Sequence, residues 1–174
     1  METVLYELGF DYSEAMGGLI PIAMGVVVFW LGAFIGKIPM RNTASNLRIK
    51  EISHKGVAIV LKVIGVIAFI GSLFFYSLYI DEYNQHKTKL ENGEVLIVEG
   101  YVENFRPLLF FEKGTENFEI NGVYFAYNDA GATNGYNTTA DRGGVITGNG
   151  QHLRIKYISN EDGENIILYI AEIE

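Results

Sequence analysis

At 174 residues the chain has room for one modest domain beside a membrane anchor and little more. It holds no cysteine, which excludes disulfides, thiolate catalysis and Cys-based metal sites. The formal charge of −8 is unevenly spread: residues 81–174 carry sixteen acids against seven Lys and Arg. So acidic a segment lacks the long-range attraction for phosphate that nucleic-acid binders use, and nucleic acid is not expected as a partner.

The first residues are acidic (Glu2, Glu7, Asp11, Glu14) with no basic n-region, so they do not read as a cleavable signal peptide. Val4, Leu5 and Leu8 on one side predict a short interfacial helix over 2–8, within a segment 1–12. Ala15–Gly36 then runs twenty-two residues without a charge, and Gly56–Ile80 runs twenty-five with only Lys62. About 20 apolar residues span the hydrocarbon core of a bilayer as a helix. The expectation is a first transmembrane helix over 13–38, a basic loop over 39–53, and a second over 54–92 whose end is a helical stalk. Asp11 and Glu14 flank Ser13 as a capping box, and the longer form of the first helix, with Pro21 inside it, is preferred to one starting at Pro21.

Small residues recur every seven positions in both runs: Gly18, Gly25 and Gly32, then Ala58, Gly65 and Ser72. Each trio makes a smooth stripe that lets helix backbones approach, so the stripes are expected to face each other in an antiparallel hairpin. Gly32 and Gly36 form a GxxxG pair that would serve a homo-oligomer instead. The joining region carries Lys37, Arg41, Arg48, Lys50 and Lys55 against Glu51. Basic loops stay cytoplasmic, which places the N-terminus and the second half of the chain on the other side of a cytoplasmic (inner) membrane. Lys62 lies about two turns from the loop end of its helix, where its stem can snorkel to the interface. Asp81–Glu91 is rich in helix formers, and Asn92-Gly93 is the expected cap.

From Glu94 the apolar period becomes two. Glu94–Phe105 reads as a strand with a bulge at Gly100, and Asn121-Gly122 within Glu116–Tyr127 reads as a type I′ hairpin. That turn pairs Ile120 with Val123 and Phe118 with Phe125, on one face with Tyr127, leaving Asn117, Glu119 and Tyr124 on the other. A second hairpin is expected from Val145–Thr147 into Gln151–Ile158, and a third across Asn160–Gly163 into Asn165–Ile173. Over 93–174 this predicts a small antiparallel β-barrel or sandwich, OB-like or SH3-like, within a membrane α + β chain.

The glycine-rich stretch Asp129–Gly150 has no period. Asn128, Asp129, Asn137 and Asp141 offer oxygen ligands, and Arg142-Gly143-Gly144 an anion nest, but no Ca²⁺-loop spacing is present. Asn137-Thr138-Thr139 matches the glycosylation sequon. His152, Arg154 and Lys156 place three cations on one strand face, suited to an anionic ligand or to pairing with acids such as Glu172. Tyr124, Tyr127 and Tyr136 are expected to cluster at an exposed surface beside the glycine-rich stretch.

Val98-Glu99-Gly100-Tyr101-Val102-Glu103-Asn104-Phe105, Phe118 to Phe125, Gly135-Tyr136-Asn137-Thr138 and Gly143-Gly144 resemble a group of uncharacterised bacterial membrane-tethered small β-domain proteins. The resemblance covers about residues 94–158 and implies a bacterial origin and a compact domain, with no activity and no site residue attached. Taken together, the residues predict a non-enzymatic membrane-anchored binding or scaffolding module that needs no cofactor or metal. Its ligand-binding candidates are Tyr124, Tyr127, Tyr136, Arg142, Arg154 and Lys156, and its expected partners are membrane lipid and a protein or second copy. The alternative is an accessory or pore-forming subunit of an oligomeric transporter or channel.

Overall fold

A computed structural model describes residues 1–9, 12–37, 54–108, 114–129 and 134–174. The basic loop 39–53, Asp11 and part of the glycine-rich stretch lie outside the described residues. The elements in chain order are β1 (Glu2–Glu7), α1 (Tyr12–Ile35), α2 (His54–Asn92), β2 (Leu96–Tyr101), β3 (Glu103–Arg106), β4 (Glu116–Ile120) and β5 (Val123–Tyr127). A 3₁₀ turn (Ala140–Arg142), β6 (His152–Ser159) and β7 (Asn165–Ile173) complete them. The chain divides into two units, one made of Met1–Phe10 with Asp81–Glu174 and the other of Asp11–Ile80.

Within the helical unit the glycines set the packing. A Cβ on Gly25 would lie 2.9 Å from the Phe69 backbone nitrogen, and one on Gly65 would lie 2.7 Å from that of Phe29. One on Gly32 would meet the Ala58 carbonyl oxygen at 2.9 Å. Gly25 against Gly65 and Gly32 against Ala58 fix an antiparallel crossing, as the two stripes predict. Gly36 also faces Ala58, 3.2 Å from its Cβ, so both members of the GxxxG pair are occupied within the chain. α1 starts at Tyr12 and contains Pro21, the longer of the two expected forms. Among the described residues one helix, Gly56–Asn92, is long and apolar enough to cross a bilayer; the apolar stretch Leu19–Ile35 is shorter. Large side chains such as Trp30, Phe34, Ile67 and Phe75 point outward.

The β-unit contains two antiparallel sheets, ordered β1-β7-β6-β2 and β3-β4-β5, and they do not close into a barrel. One core joins them: Phe118 and Phe125 stack at 5.1 Å among Val98, Leu153, Ile155 and Ile170. Burying each such side chain contributes about 1.5–3 kcal/mol. The Asn121-Gly122 turn forms with both residues at positive φ (48° and 79°), which aligns Ile120 with Val123 and Phe118 with Phe125 as predicted. β6 and β7 form the third expected hairpin.

Three local expectations fail. Residues 2–8 are not an interfacial helix: Glu2–Glu7 is a strand paired with β7, and the Met1 ammonium donates to the Glu174 carbonyl oxygen at 2.9 Å. Its partner lies at the far end of the chain, so no local pattern reports it. Gly100 is not a bulge but pairs in register with Leu153. The break comes at Val102, where the chain leaves one sheet for the other, and Gly100 is small because a Cβ would meet Asn121 Nδ2 at 2.8 Å. Val145–Thr147 is not a strand, since β6 already has β2 and β7 as neighbours. Gln151 takes the place of a ladder there, donating to the Val145 carbonyl oxygen (3.0 Å) and accepting from the Thr147 N–H (3.2 Å).

α2 ends in a Schellman motif: Gly93 (φ 74°) donates to Leu90 O and Glu94 to Lys89 O. Its last turns pack Tyr83 and Leu90 against Leu8, Ile158, Ile166 and Leu168, a second apolar cluster. Asp81–Asn92 is thus a shelf on the β-unit.

Candidate functional site

The glycine-rich segment is organised by a residue that sequence patterning passes over. Glu116 opens β4 and points to the core with Phe118 and Ile120, at 0% exposure. A carboxylate there must be fully hydrogen-bonded. Its Oε1 accepts from Tyr127 Oη at 2.6 Å, and both oxygens accept from the Ala140 N–H at 3.1 Å. The Leu108 N–H reaches Oε2 at 3.3 Å. Ala140 begins the 3₁₀ turn, so one buried anion pins its free N–H end. Burial, and then the bond to Glu116, pushes the Tyr127 hydroxyl far above the ordinary phenol range.

Tyr127 and Tyr136 therefore do not form an exposed surface: they are 6% and 4% exposed, with rings edge to face at 5.1 Å. Tyr136 also meets Tyr6 at 5.0 Å and accepts from the Val145 N–H at 2.6 Å. Burial raises its pKa. Only Tyr124 of the three, 50% exposed, stands at the surface. The reason is the β4–β5 register, which puts Tyr127 opposite Glu116 on the core face. Within the sequon Thr139 is buried, Asn137 half-buried and Thr138 exposed.

The anion nest is already in use. Arg142, Gly143 and Gly144 donate their N–H groups to the carbonyls of Thr139, Ala140 and Thr139 in turn. The Arg142 side chain pairs with Asp129. Asn128 and Asn137 both have partners within the fold, and Asp141 is exposed. Among the described residues no three His, Asp or Glu converge to hold a metal ion.

The cationic row on β6 forms as alternation predicts, and acids of the same chain meet it. Arg154 bonds Glu99 on β2 at 2.7 Å and Glu2 on β1 at 2.6 Å, while Tyr169 donates to the other Glu2 oxygen at 3.1 Å. Hydrogen bonding to Glu99 and the charge of Glu2 raise the Arg154 pKa further. Lys156 lies over the Tyr169 ring at 4.6 Å, and His152 stacks on Tyr101 at 4.6 Å near Glu99. Glu172, the acid expected opposite the row, pairs in register with Leu153 and Thr3 instead. Beside this row Ile97 and Tyr101 stand well exposed on the same face of β2.

His86 is the second residue missed. It is buried on the α2 shelf; its Nδ1 lies 2.8 Å from the Asn134 carbonyl oxygen and donates to it. Asn134 Nδ2 in turn donates to Glu82 at 3.0 Å, so helix and glycine-rich segment clamp together. Comparison with protein-family models, with curated proteins and with solved structures finds no match to this chain.

Proposed function

We propose that this chain is a membrane-anchored binding or scaffolding module, held by a two-helix transmembrane hairpin and presenting an acidic β-unit outside the cytoplasm. One observation carries the reading: β1 precedes α1 in sequence yet lies in the same sheet as β7, so the Asp11–Ile80 unit is an insertion into the β-unit. A chain that leaves one folded unit and returns to it crosses a bilayer an even number of times. α1, at 24 residues, is about 36 Å long at 1.5 Å per residue, against a hydrocarbon core of about 30 Å. Gly56–Ile80 is of similar length. The basic residues between the helices support a cytoplasmic connection.

Gly25, Gly32, Gly36 and Gly65 serve the contact within the chain, which favours a self-contained anchor over a pore assembled from glycine faces. The presented surface is the face of β2 that bears Ile97 and Tyr101 beside the Arg154 row. Two experiments test the proposal. After alkaline carbonate washing the protein stays with the membrane pellet; release into the supernatant would end the anchor reading. A photo-crosslinking amino acid at Tyr101 gives a discrete adduct in intact membranes that one at Asp162 does not, and identical patterns from both sites would remove this surface.

A further inference from the structure

The cations of the two units are treated differently. In the β-unit Arg154 has two carboxylates within 2.7 Å. In the helical unit the described stretches hold a single acid, Glu14 at the start of α1, and none between His54 and Ile80. At the other end of the helix pair stand Lys37 and Lys62, with no ion pair to either among the described residues.

The helix packing puts both lysines within about a turn of Ala58. Gly36 touches Ala58, since a Cβ on Gly36 would lie 3.2 Å from that of Ala58, and Lys37 is the next residue. Ala58 and Lys62 are four apart on α2 and therefore lie on one face, a turn of about 5.4 Å from each other. Gly32, one turn before Gly36, lets α1 approach so closely that a Cβ there would be 3.0 Å from the Lys62 backbone nitrogen. Lys37 is exposed and Lys62 half-buried. Long Lys stems of this kind lie along apolar surface while the charged head reaches the polar interface.

We infer that Lys37 and Lys62 form a seat for the phosphate of an anionic phospholipid, at the basic end of the helical unit. The inference rests on the membrane placement proposed above. Charge complementarity selects the occupant: two cations with no ion pair among the described residues, at the rim of an apolar helix pair, match a group that is anionic at its head and apolar behind it. Each lysine near an anionic surface is worth about five-fold in affinity, the equivalent of about 1 kcal/mol.

Trp30, the single tryptophan, lies on α1 about two turns before Lys37 and is exposed, so it reports the lipids at this end. The full chain is reconstituted in phosphatidylcholine vesicles containing equal fractions of brominated phosphatidylcholine or brominated phosphatidylglycerol, whose bromines quench tryptophan on contact. Quenching by brominated phosphatidylcholine establishes insertion; its absence would overturn the membrane placement and this inference together. With insertion established, brominated phosphatidylglycerol is expected to act with about 25-fold higher apparent affinity, about five-fold from each of the two lysines. K37Q/K62Q abolishes the preference with helical circular dichroism unchanged, and R154Q keeps it. Equal quenching by the two lipids, or a preference that survives in K37Q/K62Q, would overturn the seat.

Discussion

Replacing Glu116 by leucine removes a buried charge and fills the space with an apolar side chain, a change that stabilises many cores when both members of a polar pair are replaced together. Here the donors stay behind. Tyr127 Oη, the Ala140 N–H and the Leu108 N–H all point at the carboxylate, and none has another acceptor among the described residues. Each buried donor left unsatisfied costs about 1–3 kcal/mol, so the three together imply a loss of about 3–9 kcal/mol. That is a large share of the roughly 5–15 kcal/mol of a typical domain. Glu116→Gln should cost less, about 1–2 kcal/mol: the Tyr127 hydroxyl can turn to accept from the amide N–H, and the remaining oxygen keeps the two N–H groups at neutral rather than charge-assisted strength. Tyr127→Phe removes one donor, and combined with Glu116→Leu should cost less than the sum of the two changes. The assay is urea unfolding of the full chain in detergent, followed by near-ultraviolet circular dichroism from the packed tyrosines. A Glu116→Leu variant within about 0.5 kcal/mol of the parent would refute the account of how the glycine-rich segment is held.

Three further outcomes are expected. Gly65→Ala lowers the thermal midpoint of the helical signal in detergent, because its Cβ would lie 2.7 Å from a backbone nitrogen, whereas Gly71→Ala, with open space around it, leaves it unchanged or raises it. Arg154→Gln speeds hydrogen exchange in Thr3–Glu7, since Arg154 ties Glu2 to the sheet, and leaves the β4–β5 hairpin unaffected; equal protection in both chains would show the latch to be idle. Tyr127 and Tyr136 have raised pKa values when folded, so the native state keeps protons that the unfolded chain releases above about pH 10. Stability is therefore full below that pH and falls above it, by up to about 1.4 kcal/mol per pH unit for each tyrosine. Part of the tyrosinate absorbance should then appear together with loss of structure, and smooth titration of all eleven tyrosines with circular dichroism intact would contradict this.

Short-range rules reached the helices, the glycine stripes, the Asn121-Gly122 turn, the cap at Gly93 and the β6–β7 hairpin, because each depends on residues within a few positions. They failed where the partner is distant. β1 becomes a strand only because β7 offers its edge, and Val4, Leu5 and Leu8 alone fit an amphipathic helix as well. The bend at Val102 depends on Gln151 and Gly150, which exchange backbone hydrogen bonds with it. The site followed the same division. The alternation of His152, Arg154 and Lys156 was legible, but the acids that meet them come from β1 and β2. The facing of Tyr127 was legible too, since it shares a face with Phe118 and Phe125; the error was to expect that face to be exposed. Glu116 did carry a usable signal, an acid in phase with Phe118 and Ile120 on a core face.

The direct test of the membrane placement uses single cysteines introduced into this cysteine-free chain at Thr3, Asn46 and Asn149, with a membrane-impermeant maleimide on intact cells. The expected result is labelling of Thr3 and Asn149 from outside and of Asn46 only after permeabilisation. Labelling of Thr3 and Asn149 from opposite sides, or of Asn46 from the side that reaches Asn149, would contradict it.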